Sequence, residues 1–271
     1  IGPAAEPGRL TLWLVKGVAP PVHILQYSRV GPLPGRLRVR QGTRSRMSET
    51  SNIQSIAVIG GTGALGSGLA RRWARAGYRV IIGSRSDEKA LEAANEANAA
   101  LGGDALVEGM ANDKAAAAAD LAVLTVPFAH QQATLEGIRE PLAGKILVDT
   151  TVPLVPPKVA RVQLPDGGAA ALLAQQAVGE QVQVVSAFQN VAADLVATDA
   201  ELDCDVLVTG DKPDARQVVV ELAERAGMRA WHAGPLANAA AAEALTSVLI
   251  TINKQYGCHA GIKISGLDAA H

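Results

Sequence analysis

A glycine-rich turn between an apolar strand pattern and a helical pattern constrains the fold of this chain most strongly. The β-forming run Ser55–Ile59 leads into Gly61-x-Gly63-x-x-Gly66, and an amphipathic stretch, residues 69–77, follows at once. This order of strand, tight turn and helix is typical of the first βα unit of a dinucleotide-binding sheet. The same spacing also occurs in ordinary βα turns, so the motif alone leaves that alternative open.

The three glycines of this motif have separate predicted roles. Gly61 permits the turn out of the strand, Gly63 lets the backbone approach a pyrophosphate, and Gly66 lets the helix pack on the sheet. The pyrophosphate would lie on free N–H groups at the positive end of the helix.

The next predicted strand distinguishes between the two nicotinamide dinucleotides. Residues 78–82 predict a strand that ends in Gly83-Ser84-Arg85, and Lys89 follows one helical turn later. An acidic residue here would bind a ribose 2′-hydroxyl, whereas a small hydroxyl with basic groups suits a 2′-phosphate. Arg85 offers a planar fork and Lys89 a point charge, which favours NADP over NAD. The alternative is a solvated helix start in which Ser84 or Ser86 is the N-cap.

The composition favours an α/β architecture. The 271 residues are 48% hydrophobic but only 3% aromatic, so the core must be built from Ala, Val, Leu and Ile. Such side chains suit helices packed on a buried parallel sheet. We predict an α/β fold, a Rossmann-type parallel sheet with a smaller C-terminal α/β domain. Its parts are a dinucleotide-binding domain, residues 54–152, and a second domain for substrate binding and dimerisation, residues 153–267.

The composition also excludes several function classes. No apolar run reaches the length of a transmembrane helix, about 18 residues. Cys204 and Cys258 have neither metal-ligand spacing nor a disulfide framework, and the five histidines form no triad or metal cluster. We therefore predict a cytoplasmic protein without a metal site and without a membrane segment.

Charge is distributed unevenly along the chain. Residues 1–46 contain eight Lys or Arg and one Glu, whereas the whole chain has a net charge of −1, so the remainder is acidic. An acidic body argues against nucleic-acid binding. Residues 1–46 are rich in Pro, Gly and Arg, and we predict an extension, residues 1–53, that is disordered or lies upstream of a natural start near Met47. An Arg-rich transit peptide is the alternative.

Candidate ligand contacts are expected where parallel strands end. Residues 120–127 and 145–149 predict the fourth and fifth strands, and ligands bind outside the carboxyl ends of the strands in such sheets. Val126, Phe128 and His130 are therefore placed near the crevice.

A long helix is predicted near the end of the chain, over residues 239–256. It is apolar on most faces, with Leu245, Val248, Leu249 and Ile252 at helical spacing. A helix of this kind must be buried, either in the core of the second domain or in a homodimer seam, and one helix can serve both.

Five motifs in order carry a resemblance to a known family. They are Gly60-Gly61-Thr62-Gly63-Ala64-Leu65-Gly66, Gly83-Ser84-Arg85, Val152-Pro153-Leu154, Val185-Ser186-Ala187-Phe188 and Ala233-Gly234-Pro235-Leu236. Between Ile56 and Leu267 the chain resembles the NADPH-dependent coenzyme F420 reductases, also called F420:NADP oxidoreductases. The resemblance does not cover residues 1–46.

The resemblance implies reversible hydride transfer between the nicotinamide C4 and the C5 of the deazaflavin coenzyme F420. NADP(H) and coenzyme F420 would be the small-molecule co-substrates of a soluble homodimer. Both rings exchange hydride directly, so the protein has to stack them at reacting distance and exclude water. No catalytic acid, base or nucleophile is demanded.

Site residues follow from the same resemblance. The candidate NADP contacts are Gly61, Thr62, Gly63, Ala64, Leu65, Ser84, Arg85, Lys89, Val126, Val152 and Ala193. The candidate deazaflavin pocket takes Ser186, Gln189, Asn190, Pro235, Leu236 and Asn238 from the resemblance, and Phe128 and His130 from their place after the fourth strand. Apolar and amide-bearing groups there would sandwich a planar ring and fix its edge.

Two departures from the family pattern concern the second substrate. Members often carry a His where Gln189 stands, and a Ser where Ala237 stands. Gln189 keeps hydrogen-bonding capacity but does not titrate. An NADPH-dependent flavin or small imine/carbonyl reductase on the same scaffold is therefore an alternative, and a non-catalytic NADP-sensing module is another.

Overall fold

The polypeptide forms an eight-stranded sheet with helices on both faces, in the strand order β3-β2-β1-β4-β5-β6-β7-β8. The computed structural model describes residues 53–102, 107–198 and 200–266. The predicted extension, residues 1–53, lies outside the described residues apart from Ile53. Residues 103–106, part of a strand predicted over residues 104–109, lie outside them too.

The amino-terminal part of the sheet is parallel throughout. Its strands are β1 (Ser55–Ile59), β2 (Arg79–Ser84), β3 (Val107–Ala111), β4 (Leu121–Leu124) and β5 (Ile146–Asp149). Its helices are α1 (Ala64–Arg75), α2 (Asp87–Leu101), α3 (Asn112–Ala118) and α4 (Phe128–Ile138). The α/β, Rossmann-type prediction is confirmed.

The carboxy-terminal part continues the same sheet. Its strands are β6 (Gln183–Ser186), β7 (Asp205–Gly210) and β8 (Arg229–His232). Its helices are α5 (Ala170–Val178), α6 (Ala193–Val196), α7 (Pro213–Arg225) and α8 (Ala239–Tyr256), with a 3₁₀ turn at Leu236–Asn238 before α8. β6 pairs in parallel with β5, whereas β7 runs antiparallel to β6 and parallel to β8. The strands of the two predicted domains therefore belong to one sheet.

The central strand of the sheet is buried beneath helices on both faces. All five residues of β1 are buried, as expected for a central parallel strand with helices on both faces. The side chain of Trp73 on α1 is fully buried, and its indole Nε1 donates to the Leu222 carbonyl on α7 at 2.8 Å. Its ring also meets Phe188 edge to face, with centroids 6.1 Å apart. These contacts join helices from both halves of the chain.

Two sequence-based expectations need correction. The fourth strand ends at Leu124 rather than at residue 127, and α4 begins at Phe128, a helix that we did not predict. Pro127 occupies the N-cap of α4 with φ −57°, an angle that its ring favours.

The other correction concerns the expected lack of an apolar run of membrane-spanning length. Among the described residues, the stretch Leu236–Tyr256 has the length and hydropathy, 1.3, of a candidate span, and a third of it, 33%, is buried. A core helix meets the same criterion of length and composition. The buried residues of α8 include two polar ones, Glu243 and Ser247, beside three apolar ones.

Candidate functional site

A cleft of ≈ 840 Å³ opens at the carboxyl ends of the central strands. Its walls come from the residues that follow β1, β2, β3, β4 and β5 and from the start of α6. β1 lies between β2 and β4, where the order of connections reverses, and such switch points form crevices in open parallel sheets. The cleft therefore lies where a dinucleotide site is expected.

Most predicted NADP contacts line this cleft. They are Thr62, Gly63, Ala64, Leu65, Ser84, Arg85, Lys89, Val126, Val152 and Ala193, and the predicted pocket residues Phe128 and His130 line it as well. Gly61 does not line the cleft. A β-carbon there would come within 2.7 Å of the Val58 carbonyl oxygen, so the tight turn after β1 requires glycine at this position.

The glycine-rich turn presents an open helix N-terminus. Gly63 is the N-cap of α1 with φ −82° and ψ 166°, no side chain caps the helix, and no acidic residue lies in its first turn. A β-carbon on Gly63 would have nothing within 4 Å. The packing of the protein itself therefore does not require glycine at this position, whereas close approach by a ligand would.

After β2, one residue caps the next helix and others remain available to a ligand. Ser86 is the N-cap of α2, and its Oγ accepts the N–H of Lys89 at 3.4 Å, so the capping interpretation applies to Ser86 and not to Ser84. The Arg85 and Lys89 side chains are exposed and form no ion pair with any residue that the structure describes. Two unpaired cations at one end of the cleft suit an anionic group.

Several cleft residues were missed by the sequence analysis. They include Ser86, Asn112, Thr125, Thr134, Thr150, Thr151, Leu154, Pro156 and Val159. Asn112 Oδ1 accepts the Gly60 N–H at 3.4 Å, and Thr125 Oγ1 donates to the Ile59 carbonyl at 3.0 Å. For Asn112, Thr125, Thr150 and Thr151, the position directly after the end of β3, β4 or β5 was the available signal, since ligands bind at that edge of a parallel sheet.

The other predicted pocket residues do not line this cleft. Ser186, Gln189, Asn190 and Leu236 are buried, whereas Pro235 and Asn238 are exposed, and none of the six lines the cleft. Gln189 Nε2 donates to the Asp149 carbonyl at 2.9 Å and to Ser186 Oγ at 2.8 Å. Asn190 Nδ2 donates to the Ala242 carbonyl at 2.8 Å and to Thr246 Oγ1 at 3.2 Å. Both amides therefore use their donors within the protein.

Two carboxyl groups are buried outside the lining of the cleft. Asp149 is fully buried, and burial raises the pKa of its carboxyl. Burial also raises the pKa of Glu243 to about 7, against the hydrogen bonds that its oxygens accept from Ala170 N at 2.7 Å and Ala171 N at 3.1 Å. Within the described ranges, no group of three or more His, Cys, Asp or Glu could hold a metal ion.

Comparison with known proteins identifies the family. Residues 55–153 match the family model described as NADP oxidoreductase, coenzyme F420-dependent. A protein named F420-dependent NADP reductase from Methanothermobacter thermautotrophicus is 43% identical over 79% of this chain and 96% of its own length. Its namesake from Methanocaldococcus jannaschii is 40% identical over 79% of this chain and 99% of its own length. The chain belongs to the F420-dependent NADP reductase family.

A solved structure agrees with this membership. The crystal structure of a candidate F420-dependent NADP reductase from Arthrobacter sp. FB24 has a TM-score of 0.64 and 27% identity, over 76% of this chain and 96% of that chain. The predicted family is therefore confirmed, and with it the class of oxidoreductases. Residues 55–153, which the family model matches, take in the glycine-rich turn, the end of β2 and the first residues after β5.

Proposed function

We propose that this reductase transfers a hydride reversibly between NADPH and the deazaflavin coenzyme F420. The observation that carries the proposal is the uncapped α1 N-terminus over Gly63, which shares one cleft with the unpaired cations Arg85 and Lys89. A pyrophosphate and a 2′-phosphate are the anionic groups of NADPH, and these two positions suit them. The names of the curated relatives support the second substrate.

The residues present fit NADP(H) in distinct ways. The N–H groups at the start of α1 would bind the pyrophosphate, and Ser84, Arg85 and Lys89 would hold the 2′-phosphate. Val126, Val152 and Ala193, which line the same cleft, would provide a mainly apolar surface for the nicotinamide end. When bound, the nicotinamide supplies the hydride donor or acceptor. The chain itself has to orient the ring and keep water out.

The second substrate is proposed to bind next to the nicotinamide end of the cleft. Leu154, Pro156 and Val159 give this end an apolar wall, which suits a planar ring. The loop that carries Gln189 and Asn190 lies behind it. We keep both as candidate pocket residues, as the resemblance implies, and their amide donors would have to change partners to contact a ligand directly.

The roles of the two segments and the assembly are parts of the same proposal. Residues 54–152 would hold NADP(H), and residues 153–267 would supply second-substrate and dimer contacts. A homodimer is supported by apolar side chains exposed at α8 and along the segment before α5, namely Val248 at 45%, Val155 at 47%, Val162 at 45% and Leu164 at 43%. Such faces are commonly covered in isologous dimers. Free Cys204 and Cys258 suit a cytoplasmic enzyme.

One experiment tests the reaction. Purified protein is mixed with NADPH and oxidised coenzyme F420, the loss of deazaflavin absorbance is followed, and the assay is repeated with flavin mononucleotide. Fast loss with the deazaflavin alone supports the proposal. Faster turnover of the flavin would favour the flavin-reductase alternative, and tight NADPH binding without any acceptor would favour the sensing module.

A further inference from the structure

The buried side chain of Asp149 controls the start of a loop that lines the cleft. Asp149 is the last residue of β5, and its Oδ1 accepts the Thr151 N–H at 3.0 Å. Thr150, Thr151 and Val152 all line the cleft. We call residues 150–154 the cleft loop. The carboxylate therefore fixes the turn by which this loop leaves the sheet.

The main chain of the same residue holds a second loop. The Asp149 carbonyl accepts the Ala187 N–H at 3.2 Å and Gln189 Nε2 at 2.9 Å. We call residues 186–190 the buried loop, and it is the one that the proposed function assigns to the second substrate. Phe188 in this loop has φ 74°, a left-handed conformation that is an outlier for a bulky residue. Such conformations persist only where surrounding contacts hold them, and they cluster at functional sites.

The second carboxylate oxygen reaches a helix that also borders the cleft. Asp149 Oδ2 accepts Gln131 Nε2 at 2.8 Å, and the same Nε2 donates to the Ala170 carbonyl at 3.0 Å. Gln131 is fully buried on α4, whose first turn places Phe128 and His130 in the cleft. A single residue thus bonds to the cleft loop, the buried loop and α4.

The burial of the Asp149 carboxyl group is unfavourable if only the stability of the fold is considered. Among the described residues, no Lys, Arg or His forms an ion pair with Asp149, and only neutral donors bind its carboxyl group. A buried carboxyl group without a cation costs free energy that a well-packed apolar side chain would not. Buried ionisable groups of this kind are concentrated at functional sites.

We propose that Asp149 is a positioning residue for hydride transfer, which sets the spacing between the cleft loop and the buried loop. The inference rests on the proposed function, in which these loops border the two substrates. Hydride transfer requires the reacting atoms to be about 3–3.5 Å apart, and a misplacement of about 1 Å can lower the rate about a hundredfold. NADPH affinity, by contrast, would come mainly from the phosphate end of the cleft, which Asp149 does not contact.

The test compares rate with affinity in Asp149→Asn. The asparagine Oδ1 can still accept the Thr151 N–H, but its amide would face the Gln131 amide, donor against donor. We expect kcat for F420 reduction to fall about tenfold to a hundredfold while the Kd for NADPH stays within about threefold of wild type. The deuterium isotope effect with NADPH labelled at the transferred position should rise, because hydride transfer becomes rate-limiting.

A second variant removes the contact from the other side. Gln131→Met deletes the donor to Asp149. It should likewise lower kcat while the Kd for NADPH stays close to that of wild type. Gln176→Met is the matched control, an exposed glutamine on α5, and should match wild type in both. If Asp149→Asn gives no cooperative thermal unfolding, Gln131→Met decides by the same criterion.

The positioning role of Asp149 and the proposed function are contradicted by different results. Hydride transfer at the wild-type rate in the variants, or a parallel loss of rate and affinity, would overturn the positioning role while wild-type activity still supports the proposed function. A wild-type protein that transfers no hydride from NADPH to F420 would overturn the proposed function first, and the inference with it.

Discussion

Gly66 and Gly61 touch across the first turn of the sheet. A β-carbon on Gly66 would lie 2.7 Å from the Gly61 Cα and 2.6 Å from Thr125 Oγ1. Helix α1 therefore packs directly on the backbone of the turn, with Thr125 from β4's carboxyl end closing the contact. A β-carbon on Gly63, only three residues earlier, would meet nothing within 4 Å. The packing of the protein therefore requires glycine at position 66 but not at position 63.

The paired substitutions Gly66→Ala and Gly63→Ala should separate folding from binding. Gly66→Ala overpacks a tight contact and should lower the free energy of unfolding by about 1–3 kcal/mol. Gly63→Ala should change it by less than about 0.5 kcal/mol, because the site is open. It should nevertheless weaken NADPH binding at least about tenfold, because the methyl group would occupy the pyrophosphate position. Urea unfolding and a fluorescence titration with NADPH measure the two effects.

The two variants are controls for each other. Gly63→Ala that binds NADPH as tightly as wild type would contradict the assignment of this turn to the pyrophosphate. Gly66→Ala of wild-type stability would contradict the packing role of that glycine.

Arg85→Ala should weaken NADPH binding by about 1.5–3 kcal/mol, the scale of a hydrogen bond to a charged group. NADH lacks the 2′-phosphate, so its affinity should hardly change and the preference for NADPH should narrow. Arg225→Ala is the control, since Arg225 is exposed at the end of α7 and lies outside the cleft. Equilibrium titrations with both nucleotides check this, and an unchanged NADPH/NADH ratio would contradict the 2′-phosphate assignment.

The strands and most helices could be predicted because local signals and the tertiary fold agree. The glycine spacing, the apolar runs and the N-cap at Ser86 all act within a few residues. Helix α4 was missed because its burial is set by α5 and the sheet, and its own pattern of Phe, His, Gln, Thr and Leu is weakly amphipathic. The antiparallel direction of β7 depends on the path of the chain between β6 and β7, which no periodicity encodes.

The candidate site could be predicted only in part for a similar reason. Residues directly after strand ends fall at the cleft by topology, so Arg85, Val126 and His130 line it as expected. The orientation of Gln189 and Asn190 depends on acceptors contributed by β5 and α8, far away in sequence. Long-range hydrogen bonds of this kind leave no local signal.

Glu243→Gln should change how stability depends on pH. Burial raises the pKa of this carboxyl from an ordinary 4.5 to about 7, and the nearby Asp149 adds to the increase. The cost of ionising it is absent below pH 4.5, grows as the pH rises towards 7 and is constant above, so the folded state loses stability across that window. The loss attributable to this group is about 3 kcal/mol.

Glutamine cannot ionise, so the decline between about pH 4.5 and pH 7 should be shallower in this variant, whatever its offset at low pH. Urea unfolding at several pH values in that interval (about half-unit steps) gives the slope. Glu224→Gln is the matched control, since Glu224 is exposed on α7, and should keep the wild-type slope. Equal slopes for Glu243→Gln and wild type would show that Glu243 does not titrate there.

Val248→Glu should dissociate the proposed homodimer. Val248 is 45% exposed on α8, and in a dimer that covers this face a glutamate would be buried without a partner. An unpaired buried charge costs about 3–5 kcal/mol, so the dimer dissociation constant should rise at least about a hundredfold. Leu91→Glu is the control, because Leu91 is 55% exposed on α2, which packs on β2 and β3, whereas α8 packs on α5, and the substitution should leave the dimer intact. Sedimentation velocity over a concentration series measures the dissociation constants of both variants.

A wild-type protein that is monomeric would contradict the proposed dimer, and a Val248→Glu protein that stays dimeric would place the interface elsewhere. If the variant is monomeric, its NADPH affinity should stay at the wild-type value, because every proposed NADP contact belongs to one chain.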